Sequence, residues 1–404
     1  MRFLFVHNNF PAQFRFLAEH LARDPQHRVA AIGTTTARDL PGIRVERYAF
    51  EDIGHAEVHP FARRFDREAR RAEQVLYALN ALDAAGFIPD VIVAHSGWGE
   101  TLPLRAKYPN ARIVVYCEFF YRDRGGDVHF DPEFPLLGVD GLTHLRAKNA
   151  AQLLALVDSD LGLSPTPWQR STYPAEFQPK IAVAHEGVDP LTVRPDPAAT
   201  FRLPNGQVLP AGAEVLTYLA RNLEPMRGIH IFLRALPAIL AARPSAQVVI
   251  AGGDGTSYGA TASDGRSWKD TFLGEVRHRL DLRRVHFVGP LPYAEYLRLL
   301  QVSRAHVYLT YPFVLSWSLV EALCAGCLVI GSDTAPLHDA IEHGRNGLLV
   351  PFFDTDRLAR TVTSALAHPE HYHWMRQEAR ASAIARFDRR KALGAQLAAV
   401  LPRG

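Results

Sequence analysis

The chain has 404 residues, with 45 Lys and Arg against 42 Asp and Glu, a formal net charge of +3. That length calls for two or three domains with full-sized cores, and a composition 48% hydrophobic and 22% charged excludes wholesale disorder. A charge so near balance makes no demand for nucleic acid; no apolar run approaches the ~18 residues of a membrane-spanning helix; and three cysteines cannot form a disulfide scaffold, which points to a reducing cytoplasm.

The N-terminal MRFLFVHNNF is too short and too polar after His7 for a signal peptide, and is expected as a first strand, Arg2–Val6. Short runs rich in Val and Ile follow at Val29–Ile32, Val91–Ala94 and Ile113–Cys117, with Ile181–Ala184 closing this half. Ala12–Leu21, Phe61–Ala85 and Leu142–Val157 carry helical spacing between them. Strands alternating with helices predict a parallel sheet covered on both faces. Pro190–Gly212 holds several Pro and Gly and no sustained period, so 191–212 is expected as a linker. Alternation then restarts. Strands are predicted at Val215–Leu219, Gln247–Ala251, Val285–Val288, His306–Leu309, Leu328–Gly331 and Gly347–Val350, and helices at Ile229–Ala241 and Ser318–Ala325. The Ala- and Arg-rich stretch Pro369–Val400 is expected to be helical. The fold class is therefore α/β: two Rossmann-like domains with parallel sheets, residues 1–190 and 213–380, facing each other across a cleft.

Ligands of such sheets sit at the carboxyl ends of strands, and the polar chemistry of this chain gathers there. His7-Asn8-Asn9-Phe10 follows the first strand. His95 precedes Ser96-Gly97-Trp98-Gly99-Glu100, and reads either as a sugar contact or as a satisfied structural histidine. Glu118 could orient an acceptor hydroxyl or pair with Arg122 or Arg124. Gly252-Gly253-Asp254-Gly255 lets backbone approach a phosphate or sugar, or is a plain tight turn; the polar segment Thr256–Trp268 beyond it is long enough for a lid. A helix starting near Ser316 or Ser318 presents free N–H groups and a positive dipole end to a phosphate, the two hydroxyls serving as donors or as caps. Glu321 lies among apolar neighbours and needs a hydrogen-bonded partner: the hydroxyl pair of a ribose, or an ion pair. Cys324 and Cys327 form a C-x-x-C between an apolar helix and a buried strand, which favours small-residue packing over a redox pair. Arg63, Arg64, Arg67, Arg70 and Arg71 crowd one helix, to dock on anionic headgroups or to form a solvated face with Asp66 and Glu68. No H-E-x-x-H, P-loop or G-x-S-x-G occurs, so zinc, P-loop and serine-elbow chemistries are set aside.

Several blocks resemble glycosyltransferase family four in the family's own order. Glu186-Gly187-Val188-Asp189 is similar to N-G-V-D, and Val285-His286-Phe287-Val288-Gly289 to V-x-F-x-G. Glu321-Ala322, Ala325-Gly326, Val329-Ile330 and Asp333 match E-A-x-A-x-G-x-P-V-I-x-x-D, and Gly344 to Asp354 matches G-x-N-G-L-L-V-x-x-x-D. The resemblance implies the B-type glycosyltransferase fold, with a last helix over 381–404 returning to the first domain. It implies retaining, metal-independent transfer of a sugar from a nucleoside diphosphate sugar to a glycan, glycolipid or other hydroxyl acceptor, with no cofactor. Arg221 and Arg227 would clamp the diphosphate, although the family has a lysine one position earlier than Arg227. A surface arginine near a helix start is the other reading of both. Glu321 would grip the ribose. Phe313, Ser316, Trp317, Ser318 and Leu319, with Gly253, Asp254 and Val288, would face the donor; Asn8, Asn9 and Phe10, with His95 and Glu118, the acceptor. The family's first glutamate falls eight positions before Glu321, on Phe313, so the donor-sugar contacts differ here. The expected location is the cytoplasm, with peripheral contact at the inner membrane face through the arginine-rich helix. A nucleotide-sugar epimerase and a catalytically silent partner subunit are the alternatives.

Overall fold

The structure is a computed structural model that describes residues 1–52, 54, 56–262 and 265–402. The chain divides into two compact units, Met1–Gly187 with Arg389–Gly404, and Val188–Asp388.

The first unit is built on seven strands: β1 (Arg2–Val6), β2 (Arg28–Thr34), β3 (Ile43–Tyr48), β4 (Val91–His95), β5 (Arg112–Tyr116), β6 (Leu161–Ser164) and β7 (Ile181–Val183). They pair in the order β3-β2-β1-β4-β5-β6-β7, every pair parallel. Phe3, Leu4, Phe5 and Val6 of β1 are all fully buried because both faces of the sheet are covered. Leu4 and Val6 meet Val75, Leu79 and Leu82 of the helix Arg63–Ala84. On the other face Phe3 and Phe5 meet Phe14, Leu17 and Val400, so the last helix, Arg389–Val400, packs on this unit.

Two strands of this sheet escape a reading by apolar runs. IRVERY of β3 is half polar, as suits an edge strand, and β6 has only four residues. The single helix expected over Leu142–Val157 is two, Val139–Ala147 and Ala150–Asp158. At the break, the Asn149 amide donates to the Tyr121 carbonyl at 2.8 Å and accepts from its N–H at 3.1 Å.

The second unit opens with a hairpin of β8 (Thr200–Arg202) and β9 (Val208–Pro210). Here 191–212 is not a bare linker. Phe201, Leu203 and Leu209 are buried in the same core as Leu299 and Leu300, and Gly206, one of the residues that suggested a linker, sits between the two strands of the hairpin at φ +89°. The sheet that follows comprises β10 (Val215–Asn222), β11 (Gln247–Gly253), β12 (Val285–Gly289), β13 (Ala305–Tyr308), β14 (Val329–Ser332) and β15 (Leu348–Val350), ordered β12-β11-β10-β13-β14-β15 and parallel throughout. The strand order reverses beside β10, so the carboxyl ends of β10 and β13 flank the switch point of this sheet. The helical stretch Pro369–Val400 breaks at Asp388: His373–Phe387 stays with the second unit and Arg389–Val400 with the first. Among the described residues no helix is long and apolar enough to cross a membrane.

Candidate functional site

At the carboxyl end of β10 the side chain of Arg221 is exposed, with no ion pair among the described residues. The chain then turns through Glu224 and Pro225–Arg227 into the helix Ile229–Ala242. Gly228, at φ +72°, makes that turn possible: a Cβ there would lie 2.5 Å from Cβ of Leu309. This close approach brings Arg227 to the end of β13. Its Nη1 donates to Oγ1 of Thr310 at 3.0 Å, and its guanidinium lies over the rings of Tyr258 at 5.7 Å and Phe313 at 5.9 Å. Phe313 is buried, and Tyr258 packs on it with ring centroids 4.8 Å apart. Arg221 and Arg227 are thus brought to neighbouring strand ends, and Phe313 joins Arg227.

The helix Trp317–Cys324 starts as the sequence suggests. Oγ of Ser316 accepts from the N–H of Ser318 at 3.3 Å and lies 2.9 Å from its Oγ, so both hydroxyls act in the cap. Trp317 is exposed, whereas Leu319 is fully buried in the core and can offer a donor only its backbone; Val288 is half-buried and packs against the same core. Glu321 is held by hydroxyl donors of its own chain rather than by an ion pair among the described residues. The Tyr293 hydroxyl donates to Oε1 and the Tyr296 hydroxyl to Oε2, each at 2.7 Å. Burial raises the carboxyl above its ordinary value while the two phenols pull it down. Each carboxylate oxygen has room for a second donor, so the tyrosines orient Glu321 without exhausting it.

The Gly-rich turn after β11 is shaped by its neighbours. A Cβ on Gly253 would lie 2.5 Å from Oδ1 of Asn222, and Asp254 pairs with Nζ of Lys269 at 2.6 Å. Beyond it the chain folds onto Glu224, whose Oε2 accepts from the N–H groups of Ser257, Tyr258 and Gly259 at 3.1, 3.3 and 3.4 Å. Asn222 Nδ2 donates to Oγ of Ser257 at 2.6 Å. Residues 263 and 264 of the suggested lid lie outside the described residues. Sequence reasoning missed Glu224, Tyr293 and Tyr296, and reached Tyr258 only as part of the suggested lid. Among the three, Glu224 left a signal, as a carboxylate between the two arginines.

In the first unit His95 ends β4, buried, with Nδ1 accepting from the N–H of Gly97 at 3.0 Å. Its Nε2 lies 3.4 Å from Oε2 of Glu118, and Gln13 Nε2 donates to Oε1 of Glu118 at 3.1 Å. These two predicted residues are therefore brought together. His7 stands 5.1 Å from the His95 ring, and burial holds it well below the ordinary imidazole range. The Asn8 N–H donates to Oε2 of Glu100 at 3.0 Å, and Asn9 Oδ1 accepts from Thr36. Phe10 does not face an acceptor: it is fully buried, its ring 6.3 Å from that of Phe5. Glu100, fully buried beneath Asn8, also accepts from the Tyr48 hydroxyl at 2.5 Å, and desolvation pushes its carboxyl up to about 7.

The arginine-rich helix has its charges engaged by the chain itself. Arg64 pairs with Glu68, Arg67 with Asp52 and Arg70 with Asp66, while Arg63 and Arg71 donate to the carbonyls of Val58 and Trp98. Cys324 and Cys327 are free and buried, their thiols donating to the carbonyls of Val193 and Leu300.

Comparison with known proteins agrees with the two-sheet α/β fold. Residues 25–193 match a family model described as glycosyl transferase family 4 group, and residues 203–382 match glycosyl transferases group 1. Glycogen synthase of Mycobacterium tuberculosis is 29% identical over 177 residues, 44% of this chain and 40% of that protein. D-inositol 3-phosphate glycosyltransferase of Nocardia farcinica is 29% identical over 215 residues, 48% of this chain and 45% of that one. The matched segment spans less than half the length of these relatives. Among solved structures, sucrose-phosphate synthase of Thermosynechococcus elongatus shares the fold with a TM-score of 0.73 at 17% identity, over 98% of this chain and 97% of that one. HepE of Anabaena, solved with UDP and glucose, shares it with a TM-score of 0.66 at 16% identity, over 98% of both chains.

Proposed function

We propose, from the premise that this chain belongs to the family-four glycosyltransferases, that it moves a sugar from a nucleoside diphosphate sugar to a hydroxyl acceptor, with retention and without a required metal. The observation that carries the reading is the convergence at the switch point of the second sheet: Arg221 at the end of β10, Arg227 reaching Thr310 beyond β13, and the helix Trp317–Cys324 that bears Glu321. Two guanidinium groups at neighbouring strand ends suit a diphosphate, because Arg offers planar donors matched to phosphate oxygens. The dipole of Trp317–Cys324 adds partial positive charge at its start, where Ser316 and Ser318 bring hydroxyls. Glu321, held by two phenols, accepts the ribose hydroxyls with its remaining lone pairs.

The chemistry follows from charge. As the glycosidic bond breaks, negative charge grows on the leaving diphosphate, so cations already in place stabilise the transition state more than the bound donor. The acceptor falls to the first unit, where Asn9, His95 and Glu118 present polar groups at strand ends. The relatives, a glycogen synthase and an inositol phosphate glycosyltransferase, support a glycan or a small polyol as acceptor. The named neighbour solved with UDP and glucose supports a nucleotide-sugar donor.

The test is a thermal-shift panel of UDP-, GDP- and ADP-sugars, then an NMR assay of the product anomer with the donor that binds. A stabilising donor and a retained anomer are expected. No shift with any nucleotide sugar would defeat the donor assignment, and an inverted anomer would defeat retention. An epimerase would convert the donor with no acceptor present, which the same spectra reveal.

A further inference from the structure

The family's first glutamate, which the resemblance places on the donor sugar, is replaced here by Phe313. The structure puts another carboxylate in the same cluster. Glu224 is 1% exposed. Its Oε2 collects three successive backbone N–H groups, from Ser257 to Gly259, yet its Oε1 is buried with no hydrogen-bond partner among the described residues. An unpaired buried carboxylate oxygen is costly, and such an atom calls for a donor that the chain alone does not supply.

Its surroundings say what kind of donor. Glu224 lies three residues after Arg221 and three before Arg227. The Tyr258 whose N–H it accepts lays its ring on Phe313, and the Arg227 guanidinium covers both rings. The site therefore offers one apolar wall, a cation and one unfilled acceptor, which together suit a neutral polyhydroxyl ring beside a phosphate. We propose that Glu224 binds a hydroxyl of the donor sugar through Oε1, supplying from the β10 side the carboxylate that Phe313 does not provide. The inference rests on the donor reading given above. Oε2 meanwhile keeps the backbone of 257–259 in register.

Calorimetry of the wild-type and Glu224→Gln chains tests this with the pairs UDP and UDP-glucose, GDP and GDP-mannose, ADP and ADP-glucose. Glutamine keeps the volume and leaves a carbonyl for the three N–H groups. The pair that binds is then repeated with sugar nucleotides lacking one hydroxyl at a time. Glu224→Gln is expected to weaken the sugar nucleotide about tenfold or more and to leave the matching nucleoside diphosphate unchanged. One deoxy donor should lose a similar factor on the wild type and nothing further on the variant. Equal weakening of diphosphate and sugar nucleotide, or no weakening of either, would overturn the proposal, the former leaving Glu224 as a loop anchor. Failure of every nucleotide to bind the wild type would overturn the donor reading and this inference with it.

Discussion

The Tyr296 hydroxyl donates to Oε2 of Glu321 at 2.7 Å, beside the matching bond from Tyr293 to Oε1, and the two phenol rings stack 5.8 Å apart. A half-buried carboxylate is thereby aimed without a cation, which keeps it an acceptor for hydroxyl groups. Glu321→Ala is expected to weaken nucleoside diphosphate binding about tenfold or more, and Tyr296→Phe to lower unfolding stability by about 1.5–3 kcal/mol, the worth of a hydrogen bond to a charged group. Calorimetry and denaturant titration read the two effects. Unchanged diphosphate affinity in Glu321→Ala would remove this residue from the site.

Arg221 is exposed and engages no carboxylate of its own chain among the described residues, so its removal should leave folding intact. Turnover in Arg221→Ala should fall by about 100-fold or more, as when a preorganised charge-stabilising group is removed. A wild-type rate would place the diphosphate elsewhere, and a lowered thermal midpoint would assign Arg221 to structure.

Glu100 makes stability depend on pH. Its carboxyl is raised from 4.5 to about 7 by burial, so between those values the unfolded chain releases a proton that the folded chain keeps. The stabilisation is complete below pH 4.5 and is lost as pH rises toward 7, by about 3 kcal/mol in all. Denaturant midpoints of wild type and Glu100→Gln should therefore converge on acidification and separate toward neutrality, the variant being the more stable at pH 7. Parallel profiles would show that Glu100 ionises freely.

Burial pushes the thiols of Cys324 and Cys327 up to about 11 and about 12. Thiolates are the reactive form, so a thiol reagent at pH 8 should modify neither in the native chain and all three cysteines in denaturant. Rapid native labelling of either would revive a redox role for the C-x-x-C.

Much of this architecture is written in local pattern. The run RFLFV becomes β1 with the bounds that its apolar residues suggest, and Val91–Ala94 lacks only His95. Fully buried parallel strands are continuous apolar runs, and such runs are legible one at a time. Where burial is one-sided or the strand short, as in β3 and β6, the run is broken and the element is missed. The Pro- and Gly-rich stretch before β10 shows the converse: turn residues mark a hairpin as readily as a linker, and only Phe201 and Leu209 in the core distinguish them.

By itself, the sequence determined that this is a two-sheet α/β protein of the family-four glycosyltransferases, with arginines after a strand and a glutamate within a helix of its second half. It did so because strand and helix periods are local and the motif blocks are contiguous. Only the tertiary structure decided what those groups touch. Glu321 meets phenols 25 and 28 residues away, Glu224 holds a loop 33 to 35 residues on, and Glu118 is met by Gln13 across 105 residues. The side chains of Phe10 and Leu319 go to the core for the same reason, leaving Leu319 only its backbone to offer. A side chain's partner is set by which distant strand ends the sheet order places together, and no local period records that order.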